Sequence, residues 1–305
     1  MTRRVVVTGM SGITALGNDW QTIKEHMQAG KTGVVRMSEW DDKYDLRTRL
    51  AAPVKDFSLK GRFNRKQLRS MGRVAQMAVA ATDDSLEMAG LRDDTALFEG
   101  GRLGIAYGSS FGSTPPVLGF TRLMEHGDSN AITATSYIQM MSHTTAVNIG
   151  VLYGITGRII PTSTACTSGS MGIGYAYETI KYGKQDVMIA GGAEELCPTM
   201  VAVFDTLFAT SVNNDTPEAT PRPYDVKRDG LVIGEGAGTL ILEEYEHAKA
   251  RGAKILGEIS GFATNSDGSH ITHPASQTMA RALQGALDDA ELSGYDIDIV
   301  SGHGT

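Results

Sequence analysis

Short apolar runs rich in β-branched residues alternate along this chain with stretches of helical periodicity, and that alternation limits the possible folds more than any single motif does. Residues 5–8 (Val-Val-Val-Thr) and 103–107 (Leu-Gly-Ile-Ala-Tyr) are short and almost continuously apolar, as strands buried on both faces are. Residues 20–28 and the Ala-rich stretch 74–89 read as helices. The alternation predicts an α/β protein in which helices sandwich a buried sheet. The 36 glycines fall mostly at the ends of the apolar runs, where chain reversal and close packing require them. No low-complexity linker divides the chain.

A weak internal echo bears on the architecture. Residues 81–91 (ATDDSLEMAGL) read as an Ala- and acid-rich helix feeding the strand at 102–110, and residues 286–298 (ALDDAELSGYDID) as a similar helix feeding a strand at 299–305. Either two amphipathic helices share composition by coincidence, or an α/β half is duplicated. The sequence stops at Thr305, directly after that strand, so a second half would be incomplete here.

Composition removes several function classes. With 305 residues and 41% hydrophobic content the chain has material for a large core, and a net charge of -7 argues against a general nucleic-acid binder. The apolar run after Arg3 and Arg4 is too short for a signal peptide, and no stretch approaches the roughly 18 apolar residues of a membrane span. Two cysteines without a CxxC pair suit neither a disulfide scaffold nor a zinc site, and a reducing cytoplasm is the expected location.

Chemistry concentrates at two places. In the segment Ile159-Ile160-Pro161-Thr162-Ser163-Thr164-Ala165-Cys166-Thr167-Ser168-Gly169 an apolar strand leads to a cysteine among small residues, and a helix follows, with Ile173, Tyr177 and Ile180 on one face. A thiol at such a junction lies near free backbone N–H groups and the positive end of a helix dipole, both of which favour thiolate. Small neighbours admit a substrate carbonyl, and the Cys166 amide stands ready as an oxyanion donor. Cys197 instead follows Glu194 and Glu195, whose charge disfavours a thiolate, and is read as structural. The second place is His303, which glycines flank at the end of a predicted apolar strand, where α/β folds put their sites. His270 and His273 are close in sequence, but without a third ligand nearby no metal site is expected.

The sequence resembles the elongating β-ketoacyl-acyl-carrier-protein synthases of the type II fatty-acid-synthase kind, members of the thiolase superfamily. The resemblance rests on five motifs in order: Arg4-Val5-Val6-Val7-Thr8-Gly9-Met10; Thr164-Ala165-Cys166-Thr167-Ser168-Gly169; Val187–Glu194; residues 222–230 with 234–238; and His303-Gly304-Thr305. It implies a thiolase-like layered αβαβα fold with duplicated halves, the first over residues 1–250 and an incomplete second over 251–305. The implied reaction is a decarboxylative Claisen condensation. Cys166 accepts an acyl group as a thioester, and malonyl-carrier protein then loses CO2 and attacks it. His303 matches the first of two family histidines. The second, a lysine and a glycine-rich loop fall beyond residue 305.

By the same resemblance Arg65, Lys66 and Arg69 match a basic patch that receives acyl carrier protein, Phe204 an aromatic at the pocket entrance, and Phe111 the neck of the acyl pocket. Phe208 stands where relatives carry a basic residue. Asp229, Glu235 and the glycines of 234–238 are implied scaffold. No cofactor is implied, and the expected assembly is a homodimer, or a heterodimer with a related ketosynthase-like subunit, joined along the strand before Cys166. An NAD(P)-dependent oxidoreductase is disfavoured because Thr8-Gly9-Met10-Ser11-Gly12 lacks the GxGxxG spacing and a strand-like run follows Gly238. A non-catalytic chain-length subunit would lack Cys166. Thiolases and priming synthases fit the 222–238 block less well, while a specialised polyketide or polyene pathway stays open.

Overall fold

The computed structural model describes residues 2–269 and 273–304. Its centre is a six-stranded sheet in the order β5-β4-β6-β7-β1-β8, formed by β1 (Val5–Ile13), β4 (Leu103–Gly108), β5 (Ile159–Thr162), β6 (Val187–Glu194), β7 (Gly236–Glu244) and β8 (Gly257–Ile259). A separate ribbon pairs β2 (Val35–Arg36) with β3 (Leu50–Ala51). The helices are α1 (Trp20–Gln28), α2 (Arg65–Leu68), α3 (Arg73–Ala89), α4 (Thr95–Glu99), α5 (Val117–His126), α6 (Ser136–Met140), α7 (Thr144–Tyr153), α8 (Ser168–Lys181), α9 (Pro198–Thr206), α10 (Tyr245–Ala250) and α11 (Ser276–Ala290). No helix among the described residues is long and apolar enough to cross a membrane.

β4 runs parallel to β5 and β6, whereas β7 is antiparallel to both β6 and β1. Side chains alternate across the sheet. Ile105, Tyr107, Ile189 and Ile241 join the core under α3 and α7, and Ala106, Met188, Ala190 and Leu242 join the core under α8. Both faces are therefore dry, which explains why β4 and β6 read as continuous apolar runs. The alanines of α3 let it lie close on β1 and β7, and Gly90, in the left-handed region at φ 69°, stops it. A third apolar cluster, with Trp40, Leu46, Ala51 and Val201, fixes the ribbon against α9.

The expected strand before His303 does not form. Residues 297–304 pair with no described strand, and Ile299 and Val300 are 85% and 80% exposed. A strand is stable only with a neighbour to take its N–H and C=O groups, and no described strand lies beside this run. Of the second echo segment only residues 286–290 are helical, as the end of α11, which attaches to α8 through Lys181 Nζ to Asp289 Oδ1 at 2.6 Å and the Tyr177 hydroxyl to Asp289 Oδ2 at 2.9 Å.

Candidate active site

Cys166 stands on a sharp turn between β5 and α8. Ala165 occupies the left-handed region at φ 51°, a conformation that a residue with a Cβ adopts only when its surroundings enforce it. The enforcement is local. Ser168 Oγ accepts from the Thr164 N–H at 2.9 Å and donates to the Ala165 carbonyl at 2.6 Å, and Thr162 Oγ1 donates to the Ser168 carbonyl at 2.7 Å. α8 sits close enough to the sheet that a Cβ on Gly108 would lie 2.6 Å from the Ser168 carbonyl oxygen. The outcome is an exposed thiol just ahead of the helix N-terminus, with an amide that donates to no other described residue.

Two cavities, of about 690 and 720 Å3, meet at Cys166, and Ser110, Ala165 and Glu194 line both. The larger one extends past Met200, Phe204 and Leu231 to His303, so the structure brings Cys166, Phe204 and His303 to one space. His303 is exposed, and its segment leans on residues 222–230. A Cβ on Gly302 would fall 2.0 Å from the Tyr224 hydroxyl, and one on Gly304, itself at φ 71°, 2.8 Å from Pro223 Cβ. These glycines serve contact with Pro223 and Tyr224, not only access to the imidazole.

Carboxylates brace the site. Glu194 accepts from the Ser110 N–H at 2.6 Å and Ser109 Oγ at 3.0 Å, tying the end of β6 to the end of β4. Burial pushes its carboxyl above the ordinary glutamate range despite the Ser110 amide. Glu195, 3% exposed, accepts from the Thr114 N–H and hydroxyl, both at 2.7 Å. For Glu235 burial acts upward, but the Arg73 guanidinium, at 2.7 and 2.8 Å, and the amides of Leu196 and Val54 outweigh it and hold the carboxyl low. Asp229 accepts from Ser211 Oγ and the Val212 N–H. Glu194 and the Ser109–Ser110 turn were not singled out as site residues from sequence; the available signal was their place at the ends of two adjacent parallel strands.

The other expected residues scatter. Arg65 and Lys66 on α2, and Arg69 just after it, are exposed and form no ion pair with a described residue. Phe111 is 45% exposed and lines neither cavity. Phe111 sits in a tight turn in which the Gly112 N–H donates to Ser109 Oγ, with Gly112 at φ 83°. Cys197 precedes α9, 3.2 Å from Thr199 Oγ1, and lines neither cavity. His270 lies outside the described residues, and no group of three potential metal ligands occurs among those described.

Residues 2–248 match the family described as the N-terminal domain of β-ketoacyl synthase, and residues 256–305 match its C-terminal domain. The chain is 38% identical over 310 residues to the 3-oxoacyl-[acyl-carrier-protein] synthase 2 of Vibrio cholerae, covering 99% of this chain and 73% of that one. A crystal structure of a β-ketoacyl synthase from Burkholderia phymatum is 55% identical, with a TM-score of 0.97 over 99% of this chain and 74% of the other. A type II polyketide synthase acyl-carrier protein in complex with its ketosynthase, bound to the hexaketide, matches at 31% identity and a TM-score of 0.85, covering 100% of this chain and 74% of that one. With its mixed sheet between helical layers, its thiolase-like fold and these end-to-end matches, the chain belongs to the β-ketoacyl synthase family of acyltransferases.

Proposed function

We propose that the protein is a 3-oxoacyl-acyl-carrier-protein synthase in which Cys166 carries the growing chain and His303 assists the condensation. The observation that carries this reading is the shared cavity: an exposed thiol at a helix N-terminus, with a free amide beside it, opens onto the space that His303 lines. The Cys166 thiolate attacks an incoming acyl thioester, the tetrahedral oxyanion forms beside the Cys166 N–H, and the carrier thiol leaves. A malonyl thioester then enters. His303 donates a hydrogen bond to its carbonyl oxygen, which stabilises the enolate formed as CO2 departs. The α-carbon of that enolate attacks the Cys166 thioester, Cys166 leaves as thiolate, and a 3-oxoacyl product two carbons longer is released.

Residues 1–250 form the first thiolase-like half and residues 251–305 begin the second. Acyl carrier protein is the donor, received in part by Arg65, Lys66 and Arg69, whose charges are exposed and form no ion pair with a described residue, as suits an acidic partner. The site acts within a dimer, homomeric or with a ketosynthase-like partner. This is supported by β5, which ends the sheet with Ile159 and Ile160 half-exposed.

The test separates the two steps. Cys166→Ala should abolish acyl loading seen by intact-protein mass spectrometry. His303→Ala should still load and lose at least about a hundredfold in release of CO2 from malonyl-carrier protein. Loading that survives in Cys166→Ala, or that disappears in His303→Ala, would overturn the assignment.

A further inference from the structure

We infer that Glu194 is a positioning residue for the condensation: it fixes the turn at residues 109–112 as a wall beside Cys166, which keeps water from the acyl thioester until the malonyl donor arrives. The inference rests on the ketosynthase reading of Cys166.

Glu194 closes β6, and what it holds is the segment that follows β4. Its Oε2 accepts from the Ser110 N–H at 2.6 Å, and its Oε1 accepts from Ser109 Oγ at 3.0 Å. Ser109 Oγ in turn accepts from the Gly112 N–H at 3.0 Å, so one carboxylate sets the turn from Ser109 to Gly112. The turn has little room to move the other way. Gly112 lies at φ 83°, and a Cβ on it would stand 2.1 Å from the Met140 carbonyl oxygen. Glu195, the next residue, accepts from the Thr114 N–H and hydroxyl and pins the same segment again.

The position of this turn gives it a use beyond bracing. Ser110 lines both cavities together with Ala165 and Cys166, so it forms part of the wall around any acyl group carried on the thiol. The turn also reaches the nucleophile's own support. The Ser109 N–H donates to the Thr162 carbonyl at 3.2 Å, and Thr162 Oγ1 donates to the Ser168 carbonyl at 2.7 Å. Ser163 Oγ donates to the Ser110 carbonyl at 3.3 Å. Glu194 on β6 is thereby joined, across the end of β4, to the β5–α8 turn that presents Cys166.

The reaction has one competitor that this wall would suppress. If water reaches the thioester, its oxygen bonds to the acyl carbon, the C–S bond breaks, a water proton goes to the Cys166 sulfur, and a free carboxylic acid leaves. Excluding that water and holding the acyl group still are the same task for a fixed wall.

The experiment uses the intact protein, loaded at Cys166 from butyryl-N-acetylcysteamine and then freed of donor. Intact-protein mass spectrometry follows loss of the butyryl group in buffer alone and with malonyl-carrier protein, which gives the share of loaded chains hydrolysed instead of condensed. That share belongs to each loaded molecule, so a lower yield of folded protein does not move it. Glu194→Ala should raise the hydrolysis rate about tenfold, and Ser109→Ala, which removes one of the two bonds, about threefold. Glu194→Gln keeps an acceptor for the Ser110 N–H and places a donor toward Ser109 Oγ, so it should stay within about twofold of wild type. Should Glu194→Ala fail to fold by circular dichroism, Ser109→Ala decides the matter. Unchanged hydrolysis in the folded Ala variants would overturn the inference, and so would Glu194→Gln hydrolysing as fast as Glu194→Ala, which would mean that charge and not the turn is at work. Failure of wild-type Cys166 to take up butyryl is a separate result, and it would remove the ketosynthase reading itself.

Discussion

Around Cys166 the residues that matter are small, and their smallness has two distinct uses. Ser168 closes the turn by hydrogen bonding, whereas the glycines at the ends of β4 and β6 let α8 approach the sheet. The thiol's place at the strand–helix turn was legible in sequence because strand, turn and helix are contiguous there. The support of His303 was not, because Pro223 and Tyr224 are remote in sequence from residues 302–304, and only folding places the Tyr224 hydroxyl where a Gly302 Cβ would stand. Phe111, expected at the pocket neck, lines neither cavity of this subunit. Gly302→Ala should therefore displace His303 while leaving Cys166 in place. Acyl loading should be retained, condensation should fall at least about tenfold, and the overpacking should cost about 1–3 kcal/mol. Equal loss of loading and condensation, measured by mass spectrometry and product assay, would mean that the contact does not serve His303 specifically.

At the scale of elements, periodicity located β1, α1, α3, β4 and the β5–α8 junction, because each buries a regular face. It did not locate α5, α6 and the β2–β3 ribbon, whose short segments are fixed by tertiary contact. It misjudged residues 297–300, since an apolar run is a strand only when another strand pairs with it. The β1–β7 pairing carries a buried network that pH can test. Glu243, fully buried on β7, accepts from Arg251 Nε and Nη2 at 2.7 Å each and from Thr8 Oγ1 at 2.9 Å, with His247 Nδ1 2.6 Å away. Burial alone would raise this carboxyl, but Arg251 and His247 more than offset it, so it titrates below the ordinary 4.5. The unfolded chain thus takes up this proton at a higher pH than the folded one. The stabilisation is present above that ordinary value and is lost as pH falls through the depressed folded value. Glu243→Gln should lose about 3 kcal/mol at neutral pH and lose less than wild type on further acidification, both read from urea unfolding. An unchanged acid limb would remove Glu243 from the account.

For the whole molecule, the edge at β5 is the feature that alternation alone does not reveal, because an interior strand and an edge strand share the same apolar pattern. With Val147 and Val151 on α7 also exposed, at 37% and 75%, that edge and helix form the apolar surface on which the proposed dimer rests. Ile160→Lys should weaken dimerisation at least about tenfold by sedimentation velocity and lower activity with it; an active monomeric variant would refute the dimer. The bond from α8 to α11 has a different kind of consequence. Tyr177 belongs to the first matched segment and Asp289 to the second, and burial, with Asp289 assisting and Lys181 opposing, holds the phenol above its usual range. Its ionisation is then an intrinsic optical gauge of whether the second segment is seated. In ultraviolet difference titrations against Tyr177→Phe, the Asp289→Asn protein should ionise this phenol at lower pH than wild type, and detachment of α11 should register as a shift in ultraviolet absorbance before any activity is measured.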